Sequence, residues 1–256
     1  MSYKKIAKVI SSDESWFANK EWISEFMAID ILSKEKISIC GGINAISTST
    51  NAVCCTDNCI IKIYMPETCG HFPLNDLERE VYALELINTT KVRVPQLIAY
   101  GFIDMETKFY YSVTERINIP QSESYISKSS DSDIITLGRK LRESIEILQS
   151  LEIKTPSMSK CKKTYEDSVF VHGDLTGHNV LYDGVQLAII DFEDWQFVPA
   201  NTELPAIVFD MIHSRINLAS AFLGIPLYEL KNRIFEGMNI HHESHRFIER
   251  YNEMFM

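Results

Sequence analysis

The stretch VFVHGDLTGHNVL, Val169–Leu181, followed by IIDFEDW, Ile189–Trp195, decides the fold of this chain. It orders His172, Asp174 and Asn179 as His-x-Asp-x4-Asn, then sets a second carboxylate, Asp191, at the end of an apolar run. Val169–Val171 has the β-branched and aromatic pattern of a short buried strand, which ends at His172-Gly173 and leaves Asp174 on a rigidly supported loop. Leu187–Ile190 is a second apolar run, capped by Asp191. With Tyr182-Asp-Gly184 as the turn, the runs on either side form a hairpin that carries Asn179 and Asp191 close enough to share a metal ion. Carboxylate and amide oxygens without Cys or His suit magnesium rather than zinc. Any one of these residues is accounted for by a turn, where Asp and Asn are common; only the ordered set specifies chemistry. It offers a carboxylate that can orient and deprotonate a hydroxyl, and two oxygen ligands for a magnesium ion.

Upstream, Cys59-Ile-Ile-Lys-Ile-Tyr-Met65 places Lys62 in the middle of an apolar strand, on the face of Ile60 and Tyr64. A buried ammonium there calls for an anionic partner. The next helix offers one. Asn75 with Glu78 reads as a capping-box start, and Leu77, Val81, Leu84 and Asn88 form the inward stripe. At ~100° per residue Glu80 lies about 60° from the centre of that stripe, and Glu78 about 100° away on the other side. Glu80 can therefore turn inward to Lys62, the alternative being a surface position for Glu80. On the strand alone, snorkelling of Lys62 to solvent is the alternative.

The remaining elements follow from periodicity. Residues 3–33 read as one or two amphipathic helices, and Ile37–Cys40 and Ala52–Cys55 as strands. Gly41-Gly42 and the Ser/Thr/Asn-rich Asn44–Asn51 separate those strands. That loop has no Gly-x-Gly-x-x-Gly, and the chain has no Walker A motif, so hydroxyls and backbone N–H groups are what it offers a phosphate chain. Val94–Tyr100 and Lys108–Thr114 read as strands joined by a Gly101–Thr107 turn, with Glu115-Arg116-Ile117 after them. Pro120–Ser132 is a Ser-rich connector. Ile134–Leu151 is a helix with Ile135, Leu137, Leu141, Ile145 and Leu148 on one side, and three helices are expected after Asp191, over 206–223, 227–238 and 242–256.

At 256 residues, with 45% hydrophobic and 23% charged residues, the composition is that of a globular protein with ample core. The N-terminus has no apolar signal region and no stretch is long enough to span a bilayer, so a cytoplasmic location without membrane association is expected. A net charge of −10 argues against nucleic-acid binding. The six cysteines show no Cys-x2-Cys spacing; they read as free thiols, with Cys55 and Cys59 as the one pair placed to face each other across a turn.

His-Gly-Asp in place of His-Arg-Asp, and Asp-Phe-Glu in place of Asp-Phe-Gly, resemble the aminoglycoside phosphotransferase and choline kinase family. The resemblance runs in order through Lys62, Glu80, the strand ending at Glu115, the catalytic loop and Asp191-Phe-Glu193. It implies a two-lobed α+β protein-kinase-like fold: a nucleotide-binding lobe with a small antiparallel sheet over residues 1–116, and a mainly helical catalytic and substrate lobe over 117–256. It implies ATP or GTP with magnesium as cofactors, and phosphorylation of a small-molecule hydroxyl of the antibiotic-resistance type. Asp174 takes the catalytic role, Asn179 and Asp191 the metal, Lys62 and Glu80 the phosphates, and the backbone of Glu115 and Ile117 the base.

Two departures concern the acceptor side. Thr176 stands where many members have His, and the Gly-Asp-Pro and Asp-Leu-Ala signatures after Asp191 are missing. From Asp191 onward carboxylates outnumber Lys and Arg ten to five, which favours a cationic acceptor, with Glu193, Asp194, Glu203 and Asp210 nearest in sequence to the metal site. A choline- or sugar-type kinase stays open, since Trp195 and Phe197 offer cation–π faces. A silent kinase-like binding module is the third reading, although all five catalytic positions are filled.

Overall fold

The computed structural model describes residues 12–126, 131–151, 168–175 and 177–199. The chain divides into two compact units, Met1–Glu85 with Pro95–Ile117, and Leu86–Val94 with Asn118–Met256.

In the first unit, helix α1 (Asp13–Lys34) is a single helix. Ser12 caps it by accepting from the Ser15 N–H, and Asp13 and Glu14 complement the dipole of its first turn. It ends where Lys36 turns left-handed (φ 56°) and the Ile37 N–H reaches back to the Leu32 carbonyl, a Schellman-type stop. Strands β1 (Asn44–Ile46), β2 (Ala52–Cys55), β3 (Cys59–Ile63), β4 (Leu97–Asp104) and β5 (Lys108–Glu115) form one antiparallel sheet in the order β1-β2-β3-β5-β4. Trp16, Ile23, Met27, Ala28 and Ile31 of α1 pack on the sheet face made by Ala52, Cys54, Ile61 and Ile63. Lys62, between the last two, belongs to the opposite face. Helix α2 (Pro73–Ile87) supplies Leu77 and Val81, which cluster with Tyr64 on that face.

Several expected elements are corrected here. Ile37–Cys40 is not a strand: these residues are half-buried to exposed, and the Cys40 carbonyl accepts the Asp57 N–H in a loop contact. The first strand lies instead inside the Ser/Thr/Asn-rich stretch, because the register Ala45↔Cys54 gives Ala45 and Ile46 a partner. The β4 strand runs through Gly101 to Asp104, paired with Tyr111 to Lys108, so the turn is shorter than expected. Asn75 is not a cap, since α2 starts at Pro73, whose missing N–H suits a first helical position. Asn88 lies beyond the end of α2 and is exposed, so the inward stripe ends at Leu84 and Ile87.

In the second unit, Pro120–Ser132 is more than a connector. Gln121 bridges to Leu181, and a short helix α3 (Ser122–Ile126) follows. Helix α4 (Asp131–Gln149) buries Leu137, Leu141, Ile145 and Leu148, and packs on β6 (Ser168–Val171) and on β8 (Leu187–Ile189). The strand β6 pairs with β9 (Gln196–Pro199), and β7 (Val180–Tyr182) pairs with β8 as a hairpin. The helices expected beyond residue 200, with Glu203 and Asp210, lie outside the described residues. Cys55 and Cys59 are free thiols rather than a disulfide. Among the described residues no helix is long and apolar enough to cross a membrane.

Candidate active site

The first unit contributes a buried ion pair. Lys62 on β3 lies opposite Val53 and Ser112, and its Nζ stands 3.2 Å from Glu80 Oε2, with the two residues 8% and 5% exposed. One helical turn separates Glu80 from Leu77 and Leu84, which sets its side chain beside the inward stripe. Tyr64 completes the group. Its hydroxyl donates to Glu80 Oε2 and faces Ser112 Oγ at 3.3 Å, and its ring lies 5.1 Å under the Lys62 ammonium. Burial, and then the Glu80 carboxylate, push the Tyr64 hydroxyl well above the ordinary phenol range, so it stays a donor. Sequence reasoning placed Tyr64 on the Lys62 face without a role; the signal was its spacing of two residues along the strand.

At the end of β5 the Glu115 N–H donates to the Gln96 carbonyl at 2.8 Å, and its carboxylate accepts the Gln96 N–H at 3.2 Å. Ile117 follows outside regular structure and is half-buried.

The second unit holds the catalytic-loop residues. His172 is fully buried after β6; its Nε2 donates to the Ile190 carbonyl at 2.8 Å and its Nδ1 accepts the Asp174 N–H at 3.2 Å. A backbone N–H can only donate, so the imidazole is the neutral tautomer with its proton on Nε2. His172 thereby ties Asp174 to the peptide that precedes Asp191. Gly173 has φ +88°, and a Cβ there would lie 2.0 Å from the Asp194 carbonyl oxygen, so no side chain fits. Asp174 is exposed.

Asn179 is oriented unambiguously by its donors. Its Nδ2 gives hydrogen bonds to the Asp174 carbonyl (2.8 Å) and carboxylate (3.1 Å), which leaves the amide oxygen as the group to offer a cation. The Ile190 N–H donates to the Asn179 carbonyl at 2.9 Å, closing the β7–β8 hairpin just before Asp191. Asp191 itself is half-buried with φ 67°, an uncommon conformation for a residue other than glycine. The Asp191 and Glu193 carboxylate oxygens lie within 4.8 Å of each other. The Asp191 and Glu193 carboxylates are oxygen donors of the kind a hard divalent cation takes. Ser122 Oγ and Gln121 Nε2 donate to the Gly177 and His178 carbonyls at 3.0 and 3.2 Å, strapping the catalytic loop from behind.

Of the acceptor-side candidates, Glu193 is half-buried beside Asp191, and Asp194 is exposed. The cation–π expectation for Trp195 is corrected. Its ring is 0% exposed, packed 5.2 Å from Phe170 and 6.0 Å from Phe197, and is a core residue.

Residues 141–218 match the model of the family described as "Phosphotransferase enzyme family". No protein of curated function matches the chain significantly. Among solved structures, the amicoumacin kinase hAmiN in complex with AMP-PNP, Ca2+ and Ami is 12% identical, with a TM-score of 0.61 over 86% of this chain and 79% of that one. The GDP complex of aminoglycoside 2'-phosphotransferase-IIIa is 13% identical, with a TM-score of 0.54 over 90% and 97%. The streptomycin-ATP-APH(2'')-IIa ternary complex is 11% identical, with a TM-score of 0.54 over 89% and 87%. The chain has the α+β kinase-like fold of these phosphotransferases. Its resemblance to them is carried both by that fold and by the phosphotransferase-family segment that holds the catalytic loop.

Proposed function

We propose that the protein is a kinase that uses ATP or GTP with magnesium to phosphorylate a hydroxyl of a small molecule. Lys62, held by Glu80 and Tyr64, positions the α- and β-phosphates. The base is read at its edge by Ile117 and by the Glu115 carbonyl, since the Glu115 N–H is engaged with Gln96. Asn179 and Asp191 hold magnesium, and Glu193 supplies a third oxygen beside them. When bound, that ion neutralises charge developing on the transferred phosphoryl group. Asp174 orients the acceptor hydroxyl and accepts its proton.

The observation that carries this reading is the pair of hydrogen bonds that Asn179 Nδ2 donates to the Asp174 carbonyl and carboxylate. One hydrogen-bonded pair divides the work, the amide oxygen for a cation and the carboxylate for an acceptor.

The acceptor is a cationic small molecule of the aminoglycoside type, which makes the activity one of antibiotic resistance. The acidic excess after Asp191 supports this, as do the ligands named for the structural relatives, amicoumacin and streptomycin. With Trp195 in the core, a quaternary ammonium has lost one of its two aromatic candidates. A coupled ADP-release assay over aminoglycosides, choline-type amines and neutral sugars, with mass detection of a product heavier by one phosphoryl group, tests it. Turnover of cationic aminosugars is expected. Turnover confined to neutral or anionic acceptors would overturn the acceptor class and leave the kinase standing; no ADP from any acceptor, with ATP bound, would favour the silent binding module.

A further inference from the structure

Four buried polar groups of the first unit meet on one face of the sheet: Lys62, Tyr64, Glu80 and Ser112. Strand alternation puts Tyr64 on the face of Lys62, and the register sets Ser112 of β5 directly across from Lys62. Glu80 reaches them from α2. The Lys62 ammonium, at 3.2 Å, and the Tyr64 hydroxyl both engage the same atom, Glu80 Oε2. A phenol carries one proton, and here Glu80 takes it. The 3.3 Å contact between the Tyr64 and Ser112 oxygens is then a bond that Ser112 donates. Ser112 thus donates to Tyr64 and Tyr64 to Glu80, each bond polarising the next hydroxyl and strengthening the last link.

An ion pair needs no phenol to form. A carboxylate buried with a single cation holds it hard, since nothing else compensates the charge. An ammonium held that tightly is a poor ligand for a third group. The Tyr64 hydroxyl changes the balance, because a charge-assisted bond to Oε2 takes over part of the compensation and lowers the pull on Lys62. Burial and the neighbouring carboxylate keep the phenol protonated, so it is a donor throughout the neutral range. The ring contributes separately. It lies 5.1 Å from the ammonium and clusters with Leu77 and Val81, and neither property depends on the hydroxyl.

We propose that Tyr64 is a positioning residue for nucleotide phosphates: its hydroxyl, backed by Ser112, holds Glu80 Oε2 so that the Lys62 ammonium can be shared with a phosphate oxygen without leaving a buried carboxylate uncompensated. The proposal rests on the kinase reading and adds to it the device by which the buried pair gives up part of its cation, which the Lys62–Glu80 contact alone does not supply. Tyr64 acts through Glu80 and touches no phosphate itself.

The test compares calorimetric affinities of the full chain for Mg·ATP and for adenosine, which has the same base and ribose without phosphates. Tyr64→Phe keeps the ring and removes only the hydroxyl. It is expected to weaken Mg·ATP binding about tenfold and to leave adenosine within about twofold of wild type, with the KM for ATP rising and kcat largely kept. Ser112→Ala is expected to lose about threefold for Mg·ATP alone, and it carries the test should Tyr64→Phe fail to fold. In Glu80→Gln no buried charge is left to compensate. Adding Tyr64→Phe to that variant is therefore expected to change Mg·ATP affinity by less than about twofold. Equal losses for both ligands, wild-type or tighter Mg·ATP binding in a folded Tyr64→Phe or in Ser112→Ala, or an undiminished loss on top of Glu80→Gln, would overturn the proposal. Lys62→Met separates the two levels: if it loses Mg·ATP while Tyr64→Phe does not, only the role of Tyr64 falls. A wild-type chain that binds no nucleotide overturns the kinase reading and the role of Tyr64 together.

Discussion

Asp174 is held from two directions, by its own N–H on His172 Nδ1 and by Asn179 Nδ2 on its carboxylate. Neither contact neutralises it, so it stays available to an acceptor. Asp174→Asn keeps the shape and removes the proton acceptor. In phosphoryl-transfer assays kcat is expected to fall by roughly 10³-fold, with nucleotide affinity measured by calorimetry within about twofold of wild type. Turnover within tenfold of wild type would remove Asp174 from the chemistry. Asn179→Asp is a sharper probe, because it keeps an oxygen for the metal and removes the donor. Two carboxylates at that 3.1 Å separation repel, and one of them is forced to hold its proton to a higher pH. The proposed reaction needs Asp174 ionised, and on that proposal the acid limb of the pH–rate profile is expected to move upward in Asn179→Asp. An unmoved acid limb would mean that the two residues are not coupled.

At the scale of elements, the catalytic loop is shaped by what surrounds it more than by its own turns. β6 delivers His172, the β7–β8 hairpin delivers Asn179 and Asp191, and Ser122 and Gln121 brace the carbonyls between them. Gly173 is where these elements meet the Asp194 backbone. Gly173→Ala is expected to lower stability by more than the ~1–3 kcal/mol of left-handed strain, because its Cβ also meets a backbone oxygen. Gly70→Ala is the matched control. Gly70 has φ +76° with nothing within 4 Å of the added Cβ, so that variant carries the conformational strain alone. Equal losses in the two variants, read from denaturant midpoints, would show that the Asp194 contact yields freely. The misplaced elements have a common cause. Ile37–Cys40 has strand composition and no paired strand, whereas Asn44–Ile46 has loop composition and a register partner in β2. Pairing decides what propensity leaves undecided.

For the molecule as a whole, Lys62 belongs to the first unit and Asp191 to the second, and the loss of each should be distinguishable. Lys62→Ala leaves Glu80 and Tyr64 buried without their cation and, on the proposed function, removes a phosphate contact; on the same proposal Asp191→Ala removes a metal ligand. In thermal-shift titrations Asp191→Ala is expected to lose the magnesium-dependent part of ATP stabilisation and to keep that of ATP in EDTA. Lys62→Ala is expected to lose both. The same Mg·ATP stabilisation in both variants as in wild type would show that the nucleotide binds elsewhere.

By itself the sequence determined the order of chemistry-bearing oxygens, the strand that carries Lys62 and the helix that carries Glu80. Strand alternation, helical periodicity and turn chemistry act within about ten residues, and the His-x-Asp-x4-Asn spacing lies inside that range. It also made the kinase-like fold legible, because those elements follow one another in a single order. Only the tertiary structure decided which buried groups meet. Tyr64 shares Glu80 with Lys62 across 16 residues, and His172 reaches Ile190 across 18. Lys20 grips a loop 28 and 29 residues away. Trp195 looked like a ligand face in sequence and is core in the fold, because Phe170 and Phe197 close over it. An aromatic ring has the same local pattern whether it binds a cation or fills a core; packing by residues distant in sequence makes the difference.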